Sequence, residues 1–166
     1  MIQSIDQFFS EAEPWITSYD SWIAQHDVKA VSDHICFKCD SSAEYESMRA
    51  VFESDSQFIF QSIVSGRRIS IIGLPRDINT KLGTINILEL SDQKPDGSQQ
   101  SGFDHIELFP ARGTLTSLVN EFKLQGVDIK EIKRPHHTTW DTFIDGNFKA
   151  RLEDGPLLDK IKNEMK

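Results

Sequence analysis

The 166-residue sequence has only two cysteines, 18 basic against 26 acidic residues, and no long apolar run. Each shortage removes a class of function. A bilayer-spanning helix needs about 18 or more apolar residues, so no membrane partner is expected. A net charge of −8 without a basic cluster argues against a surface that tracks nucleic-acid phosphates. The phosphate-cradling signatures G-x-G-x-x-G and G-x-x-x-x-G-K-[ST] are missing, as is the G-x-S-x-G nucleophile elbow. No carboxylate spacing supports paired-carboxylate hydrolysis. The opening segment MIQSIDQFFSEAE is acidic and lacks a basic stretch, so it does not read as a signal peptide. A cytoplasmic protein, monomeric or homodimeric, is expected.

The two cysteines, Cys36 and Cys39, form a C-x-x-C without a second pair. Their run, Ile35 to Cys39, reads as a strand. Residues three apart in a strand point to opposite faces, with Cα atoms about 10 Å apart. Neither a disulfide nor a shared metal suits that geometry, and both thiols are expected to be reduced.

What the sequence does contain is a duplication. Asp-His-Ile occurs at Asp33-His34-Ile35 and again at Asp104-His105-Ile106, 71 residues on. That spacing exceeds the roughly 20–50 residues of solenoid repeats, and it suits a unit of one helix and four strands. Residues 3–26 carry Ile5, Phe8, Phe9, Ala12, Ile16, Tyr19 and Ile23 at helical spacing. Ser4 and Gln7 can cap this helix, and Pro14 is expected to divide it. It reads as an arm packing on the domain.

From Val31 the period changes to two. A strand is followed by a helix capped by Ser41 and Glu44, with Tyr45, Met48 and Phe52 as its apolar stripe. Strands at Phe58–Val64 and Arg68–Leu74 flank Ser65-Gly66-Arg67, where glycine suits a tight hairpin. A loop with Pro75 and Asn79 leads to a strand at Thr84–Leu90. Ser91–Ser101 reads as a linker. The second half repeats the order: strand Phe103–Phe109, a helix over 113–125 with Gly126 after it, then strands Val127–Lys133, Thr138–Ile144 and Phe148–Glu153. A short helix, Leu157–Met165, with Pro156 at its start, closes the chain. The fold class is α+β: two paired βαβββ modules in a curved mixed sheet. An N-terminal helical extension (1–28) precedes module one (29–97), module two (102–155) and a C-terminal helix (156–166).

Strand alternation gives the histidines a direction. Ile35 and Phe37, like Ile106 and Leu108, suit the face beneath a helix. His34 and His105 then leave the opposite face, with Glu107 beside His105 and Glu153 at the end of the last strand. If the halves pair edge to edge, these groups line one trough. Imidazole and carboxylate donors suit a borderline divalent ion such as Zn²⁺, Fe²⁺, Mn²⁺, Ni²⁺ or Co²⁺. The two aspartates share the apolar face by the same count and read as strand-start residues.

On these residues the chain resembles the βαβββ modules of the vicinal oxygen chelate superfamily, which includes glyoxalase I and extradiol dioxygenases. Within it, the chain is similar to the YecM-like family. The similar stretches are the N-terminal arm, SDHICFKC, SGRRISIIGL, TINILEL, GFDHIELF and FIDGNFKARLE. The resemblance implies a glyoxalase-like sheet and metal ligands from the first and last strands of each module: His34 and Glu89, then His105 and Glu153. By alternation Glu89 shares a face with Ile85 and Ile87, so it is either an edge carboxylate or is re-aimed by a bulge. Glu107 is the candidate that orients a histidine or accepts a proton.

The remaining polar candidates are less directed. His136 and His137 read as surface residues, with His137 the candidate general acid or base. Arg67 and Arg68 read as solvated, Trp140 and Phe143 as packing residues. The implied function is divalent-metal binding for isomerase, epimerase, lyase or oxygenase chemistry on a small oxygen-rich substrate. The alternative is a non-catalytic protein that binds a small ligand or metal in the same trough.

Overall fold

The computed structural model describes residues 1–135 and 137–164. His136 and the last residues of the expected C-terminal helix, Met165 and Lys166, lie outside the described residues. Helix α1 (Ile5–Ile23) precedes β1 (Ala30–Lys38), α2 (Ser42–Phe52), β2 (Ile59–Val64), β3 (Arg67–Thr80) and β4 (Gly83–Ser91). The second half runs β5 (Gly102–Pro110), α3 (Leu115–Leu124), β6 (Lys130–Lys133), β7 (Thr138–Asp145) and β8 (Phe148–Leu152), and α4 (Leu157–Glu164) follows. The repeated βαβββ order is present.

All eight strands form one mixed sheet, ordered β2-β3-β4-β1-β5-β8-β7-β6. The order reads the same outward from the β1–β5 junction. Each half's first strand pairs in parallel with its own last strand, and the two first strands pair antiparallel with each other. Both Asp-His-Ile segments therefore lie at the centre of the sheet. Among the described residues no helix is long and apolar enough to cross a membrane.

Helices α1, α2 and α3 cover one face. Tyr45, Met48 and Phe52 of α2 and Leu118, Val119 and Phe122 of α3 join Ile35, Phe37, Ile106 and Leu108 in the main core. These are the stripes that helical spacing requires of a helix with one buried face. Helix α1 spans both halves: Phe8 meets the edge of Phe52, Trp15 packs on Phe148, and Trp22 stacks on Phe122. A second apolar cluster occupies the other face, where Leu157, Leu158 and Ile161 of α4 cover Ile69, Ile71 and Ile87.

Several local expectations change. Pro14 does not divide α1; its ring is exposed, so the carbonyl that loses its partner, Ser10 O, faces water. Strand β3 runs through Pro75 because its pairing with β4 slips between Gly73 and Ile78, a place where a missing N–H does no harm. Strand β6 is shorter than expected at four residues. The stretch after Ser91 is not loose: the Gln99 amide is buried and donates to the carbonyls of Cys39 and Asp92. Arg68 is not simply solvated, since it pairs with Asp92 at 2.8 Å and with Glu46, and lies over the Tyr45 ring. Phe143 does not pack; the ladder slips beside it and leaves it 60% exposed, whereas Trp140 joins the core. At the β2–β3 hairpin Ser65 and Gly66 both have positive φ, 51° and 78°, the pattern of a type I′ turn.

Because Phe8 is fully buried among aromatic edges, Phe8→Ala should lower stability by about 3–5 kcal/mol. Leu124→Ala, at a site 88% exposed, should change it by less than about 0.5 kcal/mol. Urea denaturation compares the two. Equal, small effects would mean that α1 is a detachable arm.

Candidate metal centre

The repeated motif works through a bulge. Along the β1–β5 ladder Ser32 faces Leu108 and His34 faces Glu107, which leaves Asp33 without an opposite residue. Further along, Cys36 faces His105 and Phe37 faces Phe103, which leaves Asp104 without one. Such an extra residue re-aims its neighbours. Ser32 bonds Tyr19 of α1 and Ile35 enters the main core, so Asp33 and His34 between them share the opposite face. Phe103 and Ile106 bracket Asp104 and His105 in the same way. The aspartates are thus not apolar-face residues, as strict alternation had them.

Each aspartate fixes its neighbouring histidine. Asp33 Oδ2 lies 2.7 Å from His34 Nδ1, and Asp104 Oδ2 lies 2.7 Å from His105 Nδ1. A carboxylate only accepts, so each Nδ1 donates and each Nε2 keeps its lone pair when the ring is neutral. The aspartates are themselves held. Leu157 N, at the start of α4, donates to Asp33 Oδ2 at 3.1 Å, and Lys38 and Lys149 reach Asp104 Oδ1 at 2.9 and 3.0 Å.

Glu89 does share a face with Ile87, but that is the trough face, whose apolar cluster lies beneath α4. Ile85 instead enters the main core, because the β3–β4 ladder slips between Ile85 and Ile87. Its carboxylate sits 3.5 Å from His34 Nε2 and accepts the Cys36 thiol at 3.4 Å. Cys36 and Cys39 are both free, Cys36 beside Glu89 and Cys39 in the main core. Donor atoms of His34, Glu89 and His105 all lie within 4.8 Å of one another. An ion about 2.0–2.2 Å from each ligand needs donors separated by roughly 3–4 Å.

The second half departs from the first. Register pairs Cys36 with Glu89 but Glu107 with Arg151, so a guanidinium stands where the first half has a carboxylate. Arg151 is clamped by Asp141 through two N–H bonds, and its Nη1 lies 3.4 Å from His105 Nε2. Glu107 Oε2 lies 3.9 Å from His34 Nε2. Glu153, past the end of β8, is buried at a separate place: Lys160 of α4 holds it at 3.1 Å and His137, half exposed, at 3.4 Å. The structure therefore brings His34, Glu89 and His105 together with Glu107 alongside, and puts Glu153 with His137 in a neighbouring group. Asp33 and Asp104 were missed, although the repeated aspartate was a signal for both. Arg151, which its strand face allowed as a partner for Glu153, pairs with Asp141 instead, and its place beside His105 follows only from the register.

Charge separates two histidines that geometry makes alike. Burial pushes the His34 imidazolium down, but Glu107, Asp33 and Glu89 outweigh it and raise the group to about 10. Burial and then Arg151 push His105 down to about 4, despite Asp104. Burial penalises the Glu89 carboxylate, yet His34 and His105 hold it well below the usual carboxylate range. Burial pushes Glu107 up to about 7, against His34 and with help from Glu89. Burial, Glu89 and Asp104 keep Cys36 protonated.

Known proteins share this arrangement of strands. The family described as YecM protein matches residues 4–137. The chain belongs to the YecM family. No curated protein matches it. A solved structural-genomics protein, EC4020, is 19% identical, covers 93% of this chain and 90% of its own, and superposes with a TM-score of 0.73. It shares the fold. Fosfomycin resistance protein FosX from Listeria monocytogenes, solved as a point mutant with Mn(II) and 1S,2S-dihydroxypropylphosphonic acid, is 15% identical; the match covers 78% of this chain and 95% of that one, with a TM-score of 0.30. A 4-hydroxymandelate synthase mutant from Streptomyces coelicolor is 10% identical, with 83% and 55% covered and a TM-score of 0.32. The chain thus shares its paired βαβββ fold with the solved protein EC4020 and carries groups capable of metal binding.

In metal-free protein the two imidazoles should titrate far apart, which ¹⁵N NMR of the rings resolves. His34, raised from 6.5 to about 10, supports folding below pH 6.5 and loses that contribution as pH rises toward 10. His105, lowered from 6.5 to about 4, supports folding above pH 6.5 and loses its contribution as pH falls toward 4. Two rings titrating together near 6.5 would contradict this.

Proposed function

We propose that this member of the YecM family holds a divalent metal ion on His34 Nε2, His105 Nε2 and Glu89, and acts on a small oxygen-rich substrate there. One observation carries it. Among the described residues His34 Nε2 is buried and makes no hydrogen bond, the closest carboxylate oxygen, of Glu89, standing 3.5 Å away, while its other nitrogen is locked to Asp33. A buried polar atom left unpaired costs about 1–3 kcal/mol, and a cation removes that penalty. Two imidazoles and one carboxylate are a donor set that Fe²⁺, Mn²⁺, Zn²⁺, Co²⁺ and Ni²⁺ accept with positions left open.

When bound, the ion would supply a Lewis acid that polarises a substrate oxygen. The chain's own residues do the rest. Asp33 and Asp104 hold both rings in the ligating tautomer, and the Cys36 thiol orients Glu89. Glu107, buried beside His34, is the residue we assign to take and return a proton. His137 is the runner-up, at the rim, where it links Glu153 to solvent. Glu153 is the candidate fourth ligand; it would have to leave Lys160 and turn toward His34. Isomerase, epimerase, lyase and oxygenase chemistry all fit such a centre, and fold does not choose among them.

A second reading has its own support. The carboxylates that hold a proton on His34 make a buried ion pair with Glu89 that is balanced without metal. Metal analysis of tag-free protein after supplementation separates the two. The metal reading expects about one equivalent, lost in His34→Gln and Glu89→Gln variants that still melt cooperatively. Less than about 0.1 equivalents of every transition metal would leave the ion pair as the better account. Asp33→Asn, which unlocks the tautomer, should weaken metal binding about 10–100-fold. Bound metal without an exchangeable water would favour a binding role over catalysis.

A further inference from the structure

Arg151 breaks the symmetry between the halves, and its free nitrogen points to the ligand. The guanidinium is only 12% exposed at its side chain. Nε and Nη2 are committed to Asp141 Oδ1 and Oδ2, at 2.8 and 2.9 Å. Nη1 is left over, and among the described residues its acceptor is His105 Nε2, at 3.4 Å. On the metal reading, which this inference rests on, that lone pair belongs to the ion. One lone pair does not serve both.

With the ion in place, Nη1 loses its acceptor and the guanidinium stands beside a second cation in a buried site. An anionic oxygen between them resolves both conflicts, because charge-assisted N–H bonds to oxyanions are the strong ones. Arg134 adds to the same side. It is partly buried with Nε on Thr139 Oγ1 at 3.2 Å, and burial and then the charge of Arg151 lower its pKa.

We propose that Arg151 makes the centre selective for small carboxylate anions over neutral ligands of similar size. Arg151 Nη1 donates to the anionic oxygen, Asp141 holds the guanidinium in line, and Arg134 strengthens the local field. Neutral diols and ketols offer Nη1 only an uncharged acceptor, whose bond is the weaker one.

Glycolate and ethylene glycol test this, since both carry two adjacent oxygens at similar size and only one is charged. Water-proton relaxation of the Mn²⁺-loaded full-length protein reports their binding. Glycolate should bind at least about tenfold more tightly than ethylene glycol. Arg151→Gln should weaken glycolate by about tenfold or more and leave ethylene glycol unchanged, while Mn²⁺ binds no more weakly because a neighbouring positive charge has gone. As that variant leaves Asp141 buried and unpaired, Arg151→Gln/Asp141→Asn carries the same expectation with the pair neutralised. Equal binding of the two probes by the wild type, or a preference that survives both variants, overturns the proposal. A wild type that takes up neither Mn²⁺ nor any other transition metal overturns the metal reading and this inference together; one that binds Mn²⁺, or high-spin Co²⁺ in its place, without preferring glycolate overturns this inference alone.

Discussion

A histidine buried at the centre of a sheet becomes a ligand only if its proton is kept on the far nitrogen. Here that constraint is met twice by the same device, an aspartate bulged out of the ladder immediately before the histidine and bonded to its Nδ1. Everything else at the centre depends on it. The bulge swings aspartate and histidine onto one face, the bond fixes the tautomer, and both Nε2 atoms are left toward a shared place. The near-twofold sheet then supplies the convergence, because β1 and β5 lie side by side.

Packing and chemistry share residues. The first N–H of α4 donates to Asp33, and Lys160 of the same helix holds Glu153, so the helix that covers the trough also sets its carboxylates. On the far face α1 bridges the halves through Phe52, Phe148 and Phe122. The duplication is nevertheless unequal where it matters. Glu89 in one half and Arg151 in the other give one histidine a carboxylate neighbour and its twin a guanidinium, which is how a symmetric scaffold acquires a direction for an asymmetric ligand.

Much of this was legible in the sequence, and the failures have physical causes. The repeated Asp-His-Ile, the two helical stripes and the Ser-Gly hairpin are local signals, so the duplicated order followed from them. Period-two counting put His34 and His105 on the right face but misplaced Asp33 and Asp104, because a bulge inserts one residue and shifts the count. Glu89 was doubtful for a related reason. Its alternation with Ile87 was correct but that with Ile85 was not, because the ladder slips between them; Ile85 joins the main core and Ile87 the smaller cluster beneath α4, which no local pattern distinguishes. Arg151 was unreadable because its meaning lies in which residue it faces across β5 and β8. Glu153 has the right chemistry but stands two residues beyond Arg151, at the position equivalent to Ser91 rather than to Glu89.

X-ray absorption of the cobalt- or zinc-loaded protein tests the centre most directly, because it reads the atoms around the ion. The account predicts nitrogen and oxygen scatterers at about 2.0–2.2 Å with the outer-shell signature of two imidazoles. A sulfur shell at about 2.3 Å, placing Cys36 on the metal, or a spectrum with no histidine contribution, would contradict it.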